Sequence, residues 1–272
     1  MQVRQAIRAA ARQLMVSETP RLDAELLMAH ALEVDRDDLL LRRLDDPAPE
    51  AFAALLGRRA AGEPVAYIVG HRDFWTIRLG VTPDVLIPRA DSETLIEAAV
   101  DHFVGRNPSR ILDLGTGSGA LLLAALDQWR HATGLGIDAS DAALEVARAN
   151  AAALGLATRA AFRHGDWAWG IDERFDLVLC NPPYVEAGAR LPHEVAGYEP
   201  HAALFAGNDG LVCYRTIAPQ LRTLVAPGGI ACIEIGAGQA NAVRALFADA
   251  GSCLEIHRDF AGRDRCATLC VA

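Results

Sequence analysis

The tetrapeptide Asn181-Pro182-Pro183-Tyr184 carries the most specific chemical signal in this 272-residue sequence. It follows directly on the apolar run FDLVLC. Two successive prolines fix the backbone and remove two N–H donors, which leaves carbonyl oxygens facing a ligand. The Asn181 side-chain oxygen and the Pro182 carbonyl can together accept both hydrogens of an –NH2 group, and Tyr184 can lie flat against its plane. Such a set suits the attack of a planar, delocalised nitrogen on an activated methyl group. Positive charge grows on that nitrogen, so two preplaced acceptors stabilise the transition state more than the ground state. This chemistry requires neither a metal nor a dedicated base.

A second group is Asp113-Leu114-Gly115-Thr116-Gly117-Ser118-Gly119, between a hydrophobic strand and a helix. Glycines let the chain turn sharply and let a ligand approach the main chain, while the helix N-terminus offers unpaired N–H groups. Nineteen residues beyond Gly119 lies Asp138, at the end of the next strand, where a carboxylate can accept both ribose hydroxyls of an adenosine. Gly115, Gly117 and Ala120 also satisfy the dinucleotide pattern G-x-G-x-x-G/A. A nicotinamide-dependent oxidoreductase would therefore explain the glycine loop and Asp138, yet it leaves Asn181 to Tyr184 without a role. A stiffened loop and a plain structural turn are the bland alternatives. The histidines His164, His193 and His201 show no metal-ligand spacing, and the six cysteines include no C-x-x-C pair, which suits reduced structural thiols.

From residue 110 onward, strand-like and helical runs alternate, giving seven strand-like runs in all: ILDL, GLGID, residues 160–163, FDLVLC, IACIEI, and runs at 253–257 and 266–271. This pattern calls for a mostly parallel sheet covered by helices on both faces. The last two runs lie so close together that one should be antiparallel at the edge. FDLVLC then delivers Asn181 to the carboxyl edge of the sheet, where ligands bind in such folds. Ahead of this region, residues 1–62 read as four or five helices, and residues 63–82 as a hairpin with strands at 67–69 and 74–81 around His71-Arg72-Asp73. A helix is expected at 92–104, capped by Asp91 or Ser92, and another at 239–250. Asp176 should position the strand before Asn181. Residues 185–208 lack periodicity and read as a loop facing the substrate.

Hydrophobic residues make up 51% and charged residues 22%, which excludes a mostly disordered chain. The net charge of −9 argues against a surface built to neutralise phosphate backbones. No apolar run approaches the roughly 18 residues of a membrane span, and the reading is of a cytoplasmic protein.

The glycine loop followed by NPPY resembles the class I methyltransferases that modify exocyclic or amide nitrogens. The wider pattern is similar to the release-factor glutamine N5-methyltransferases of the HemK type: GEPVAYIVGHRDFW, VLIPRADSETL, Glu199-Pro200 to Tyr214-Arg215, PGG, EIG and the closing GRDR. That resemblance implies an α/β, Rossmann-like fold with a seven-stranded sheet over 83–272 and a helical substrate-recognition domain before it. It implies S-adenosylmethionine as cofactor, with S-adenosylhomocysteine as product, held by Gly115, Thr116, Gly117, Ser118, Gly119, Asp138, Trp167 and Asn181. Arg89 would lie near this cofactor or serve as an exposed structural arginine. Asn181, Pro182, Pro183 and Tyr184 would frame the substrate amide, the first, second and last of them as catalytic residues. The partner would be the GGQ loop of peptide chain release factors, met by a monomer without stable nucleic-acid binding. A ribosomal-protein glutamine, or adenine N6 or guanine N2 of a nucleic acid, presents similar geometry and stays open. The sequence departs from the family pattern at Ala90 and Ser92, where proline and threonine are usual, which implies a slightly altered helix entrance.

Overall fold

The computed structural model describes residues 1–14, 17–248 and 253–271. The chain divides into two compact units, one of Met1–His71 with Leu191–Glu199, the other of Arg72–Arg190 with the residues from Pro200 onward.

In the first unit, α1 (Val3–Gln13), α2 (Pro20–Ala31), α3 (Arg36–Arg42), α4 (Ala51–Ala60) and the short α5 (Val65–Val69) enclose a core of Val3, Ile7, Leu14, Leu27, Met28, Leu39, Phe52 and Ile68. Spacing of three and four residues puts Val3, Ile7, Ala10 and Leu14 on one buried face. Buried with them is Arg59, whose guanidinium donates to Asp23 at 2.6 Å and to Glu194 at 2.6 Å. Glu194 belongs to a helix at His193–Tyr198, which adds to this unit from far along the chain.

The second unit opens with a hairpin, β1 (His71–Phe74) and β2 (Ile77–Gly80), followed by a single 3₁₀ turn at Ala90–Ser92 and α6 (Glu93–His102). Then come β3 (Arg110–Leu114), α7 (Ala120–Gln128), β4 (Thr133–Asp138), α8 (Asp141–Ala153), β5 (Ala160–His164) and β6 (Phe175–Cys180). With the His193–Tyr198 helix counted as α9, the chain closes with α10 (Val212–Leu224), β7 (Val225–Glu234), α11 (Ala240–Phe247), β8 (Cys253–Arg258) and β9 (Asp264–Cys270). The strand order is β5-β4-β3-β6-β7-β9-β8, with β5 to β7 parallel and β9 antiparallel to both neighbours. Alternating residues feed two cores. Ile111, Leu177 and Leu179 pack with α6 and α7, while Leu112, Leu114, Val178 and Cys180 pack with α10 and α11. Asp176 accepts the backbone N–H groups of Ser109 and Arg110 and so ties the start of β3 to β6.

Several expectations are corrected. Residues 67–69 form no strand: Pro64 starts a single helical turn that buries Ala66, Tyr67 and Ile68, and the Gly70 N–H closes it on the Ala66 carbonyl at 2.8 Å. The hairpin turn falls instead at Trp75 and Thr76, one step after the charged triplet that suggested it. Ser92 does occupy the N-cap position of α6, but it makes no side-chain cap bond, because its hydroxyl turns inward while Asp91 pairs with Arg263 and Arg265. The helix ends at His102 rather than 104. Residues 185–208 are not one irregular loop, since they hold α9, a 3₁₀ turn at His201–Ala203 and a bridge between Val185 and Phe205. The antiparallel strand is not at the edge either. β9 is buried along nearly its whole length and takes the interior place, leaving the half-exposed β8 outside. α11 runs to Phe247, and the expected continuation to Ala250 reaches residues outside those described. Cys253 is exposed, unlike the buried Cys180, Cys232 and Cys266.

Replacing Arg59 with methionine leaves the Asp23 carboxylate buried without its cation, and should cost about 3–5 kcal/mol of unfolding free energy. Denaturant titration of the intact chain reads this, and the Asp23→Asn/Arg59→Met double variant should recover much of it. A loss below about 1 kcal/mol for the single variant would show the ion pair to be dispensable.

Candidate active site

Along the carboxyl edge of the sheet, in the second unit, lies a cavity of about 380 Å³. Its walls are the turn after β3, the ends of β4 and β6, the segment after β5, and residues 84–92. The turn after β3 is built from left-handed glycines, with φ of 70° at Gly115, 55° at Gly117 and 83° at Gly119, conformations that cost other residues roughly 1 kcal/mol or more. The N–H groups of Gly115 and Thr116 both donate to the Ile137 carbonyl at 2.9 Å, which locks the turn to β4. Asp138 accepts the Gly117 N–H at 2.8 Å and the Ser140 N–H at 2.9 Å, one on each oxygen. A carboxylate has about four acceptor positions, so each oxygen keeps one for a ligand. From α8, Asn150 donates to the carbonyls of Ser118 and Gly80 and accepts the Gly80 N–H, joining the glycine turn to the hairpin.

Asp113 lies beneath this turn. Its Oδ2 accepts the Thr116 hydroxyl at 2.6 Å, while its Oδ1 is buried without a hydrogen-bond partner. Burial, with the charge of Asp138 adding to it, pushes the Asp113 carboxyl up to about 7, against the opposing Thr116 hydrogen bond and the backbone N–H of Leu122. Opposite stands Trp167, held in a left-handed backbone at φ 51° and reaching the Gly115 side of the turn. A tryptophan in that conformation stores strain, which fits a ring aimed at the cavity rather than one placed only for packing.

Asn181 and Pro183 line the same cavity, as do Arg89 and Ser92. The Asn181 Nδ2 donates to the Ser92 hydroxyl at 3.1 Å, and that hydroxyl donates to Glu234 Oε2 at 2.5 Å. Three residues predicted from the sequence do not line it. Gly119 packs against Leu123 and Ala147 at the head of α7, and Pro182 is buried. The Tyr184 hydroxyl donates to the other Glu234 oxygen at 3.1 Å, and burial beside Glu234 raises its ionisation far above that of a free phenol. Glu234, at the end of β7, is itself wholly buried, which raises its carboxyl; hydrogen bonds from Ser92 and Tyr184 and the charge of Arg265 oppose this. Arg265 is fixed in turn by Asp91 at 3.1 Å and Asp259 at 3.4 Å. Gln239 completes the frame by donating to the carbonyls of Tyr184 and Gly210 while its oxygen accepts the Gly236 N–H.

Comparisons with known proteins agree with this geometry. Residues 5–70 match the family model described as PrmC N-terminal domain, and residues 91–196 the model described as Methyltransferase small domain. A release factor glutamine methyltransferase of Rhodospirillum rubrum is 45% identical over 92% of this chain and 78% of its own. One from Cereibacter sphaeroides is 44% identical over 97% of both chains. The chain belongs to the release factor glutamine methyltransferase family. Among solved structures, the 16S rRNA N2 G1207 methyltransferase of T. thermophilus shares the fold at a TM-score of 0.55 and 17% identity, over 74% of this chain and 50% of that one.

Within this family member, Ser92, Glu234, Asn150 and Gln239 surround the site without having been singled out for it from the sequence, and Asp113, marked there only as the start of the glycine motif, is part of it too. Gly210 matters for the same frame. Its φ is 67°, and a Cβ there would stand 2.4 Å from the Tyr184 carbonyl oxygen. The Gly210→Ala variant should therefore lose about 2–4 kcal/mol of stability, from backbone strain and displacement of the Tyr184 carbonyl. Thermal unfolding measures the loss, and an unchanged Tm would show that the turn relaxes freely.

Proposed function

We propose that the cavity binds S-adenosylmethionine and that the enzyme transfers its methyl group to the side-chain amide nitrogen of the glutamine in the GGQ loop of peptide chain release factors, in the cytoplasm. The observation that carries this reading is the polarity of Asn181, whose Nδ2 is engaged by Ser92 so that its oxygen is the atom offered to a substrate –NH2. The named activity of the relatives supports the same substrate.

The residues present fit this cofactor. The unpartnered Asp113 oxygen is a site for its ammonium group, the remaining acceptor positions of Asp138 suit two ribose hydroxyls, and Trp167 offers a ring face to the adenine. When bound, the cofactor supplies a methyl group on a positive sulfonium, ready for in-line displacement. The chain's own residues then hold the attacking nitrogen. Asn181 Oδ1 takes one amide hydrogen, and the Pro182 carbonyl, although Pro182 is buried outside the cavity lining, is the acceptor that the NPPY pattern offers for the other. As the nitrogen bonds to carbon, its hydrogens become more acidic and both acceptors bind them more tightly. The surplus proton passes to water, because neither acceptor is basic enough to keep it. Among the described residues, no helix is long and apolar enough to cross a membrane.

Transfer of labelled methyl to unmodified release factor, to its GGQ glutamine-to-alanine variant and to plasmid DNA tests the reading. Label on the intact release factor alone is expected; equal label on the alanine variant, or label on DNA, overturns it. Cofactor affinity should also depend on pH. Below about 7 the buried Asp113 holds a proton that must leave before the carboxylate meets an ammonium, so affinity should rise up to tenfold per pH unit and level off above that point. The free protein should show the reverse sign. With its carboxyl raised from 3.8 in the unfolded chain to about 7, Asp113 contributes stability that is lost as pH rises through that window. Calorimetric titration between pH 5.5 and 8.5 checks the first trend, and the Asp113→Asn variant should flatten it.

A further inference from the structure

We propose that Ser92 and Glu234 are positioning residues that fix which end of the Asn181 amide faces the substrate. This inference rests on the reading of Asn181 as an acceptor for the substrate amide, and it adds a device that sets that acceptor.

The argument is one of hydrogen-bond polarity. A serine hydroxyl has one proton to give and two lone pairs to receive. Here that proton goes to Glu234 Oε2 at 2.5 Å, so Ser92 Oγ presents only a lone pair to its other neighbour, 3.1 Å away. If the Asn181 amide turned over, its oxygen would face that lone pair and two acceptors would oppose each other in a part-buried site, which is costly. The amide is thereby held with Nδ2 toward Ser92 and Oδ1 free to accept. Glu234 anchors the polarity because both its oxygens already act as acceptors, one for Ser92 and one for the Tyr184 hydroxyl. Ser92 and Glu234 are 3% and 1% exposed, so water cannot easily substitute for either partner. The relay spans the chain, joining the 3₁₀ turn before α6, the end of β6 and the end of β7. Tyr184 belongs to it from the far side of Glu234, so its hydroxyl acts on the substrate through this carboxylate rather than by touching it.

The test combines kinetics with a readout that needs no substrate. Wild type, Ser92→Ala, Ser92→Thr and Glu234→Gln are compared for kcat, substrate KM, cofactor Kd and thermal unfolding. In parallel, solvent exchange of the Asn181 side-chain –NH2 is followed by nitrogen-15 NMR. For S92A and E234Q, kcat should fall about tenfold to a hundredfold, the range expected when a catalytic group is left misplaced. KM and Kd should stay within about twofold, and S92T, which keeps the hydroxyl, should return to near wild type. The Asn181 –NH2 should be protected in wild type and S92T and exchange faster in S92A. Wild-type kcat in S92A overturns the proposal, as does a kcat loss with protection intact, a loss of protection with kcat intact, or a defect confined to cofactor Kd. Were E234Q too unstable to assay, the serine pair decides alone. If wild type methylates no glutamine, the proposed function fails, while the exchange data still decide whether Ser92 orients Asn181.

Discussion

Two carboxylates taken entirely out of water organise this molecule's chemistry. Moving an ionised carboxylate into a protein interior costs several kcal/mol unless donors or cations meet it. Asp113 and Glu234 stand at or near the carboxyl ends of β3 and β7, both about 1% exposed. The two sites answer the cost in opposite ways. Glu234 is met by Ser92, Tyr184 and the charge of Arg265, drawn from three separate segments that become rigid by meeting it. Asp113 receives the Thr116 hydroxyl on one oxygen only, and its other oxygen is left without a partner. One carboxylate has both oxygens engaged, and the other keeps one oxygen open at the cavity.

The backbone around them takes left-handed conformations, without strain at glycines and with strain at Trp167. Left-handed glycines turn the chain under the cavity, Trp167 is held at φ 51°, and Gly210 lets the main chain pass close to the Tyr184 carbonyl. The Trp167 conformation persists because the regular elements on either side are buried and over-determine the path. The helices α7 and α8 start directly beyond the two turns that line the cavity, so their N-terminal N–H groups lie at the same edge of the sheet.

The parallel sheet and its glycine turn were legible because their signals are local: apolar runs of strand length, a glycine cluster, a carboxylate at a fixed distance. The seven strands and the cavity placement of Gly115 to Ser118, Asp138 and Asn181 follow from that reading, whereas Trp167 was marked only by the family resemblance. The hairpin was misplaced because the β-rich composition of residues 65–69 was outweighed by Pro64, Gly70 and the burial of a single turn. Ser92 looked like a helix cap, since a hydroxyl one residue before a helix usually is one. Only its closeness to Glu234, 142 positions away, gives it another partner. The affiliation of residues 191–199 with the helical unit was equally hidden, because it depends on Arg59 meeting Glu194 across 135 positions. Long-range pairings of single side chains leave no periodic trace.

The interior position of β9 has a consequence for the protein as it is made. On a ribosome the chain emerges in order, so β7 and β8 are both synthesised before the strand that separates them in the sheet. Until β9 arrives, β7 offers one bare edge beside the apolar stretch IACIEI, a surface able to pair with any neighbouring nascent chain. β8 meanwhile has no sheet partner at all. The interval between translating residues 234 and 270 therefore leaves that edge of β7 open to misassembly, and slow decoding there would lengthen it.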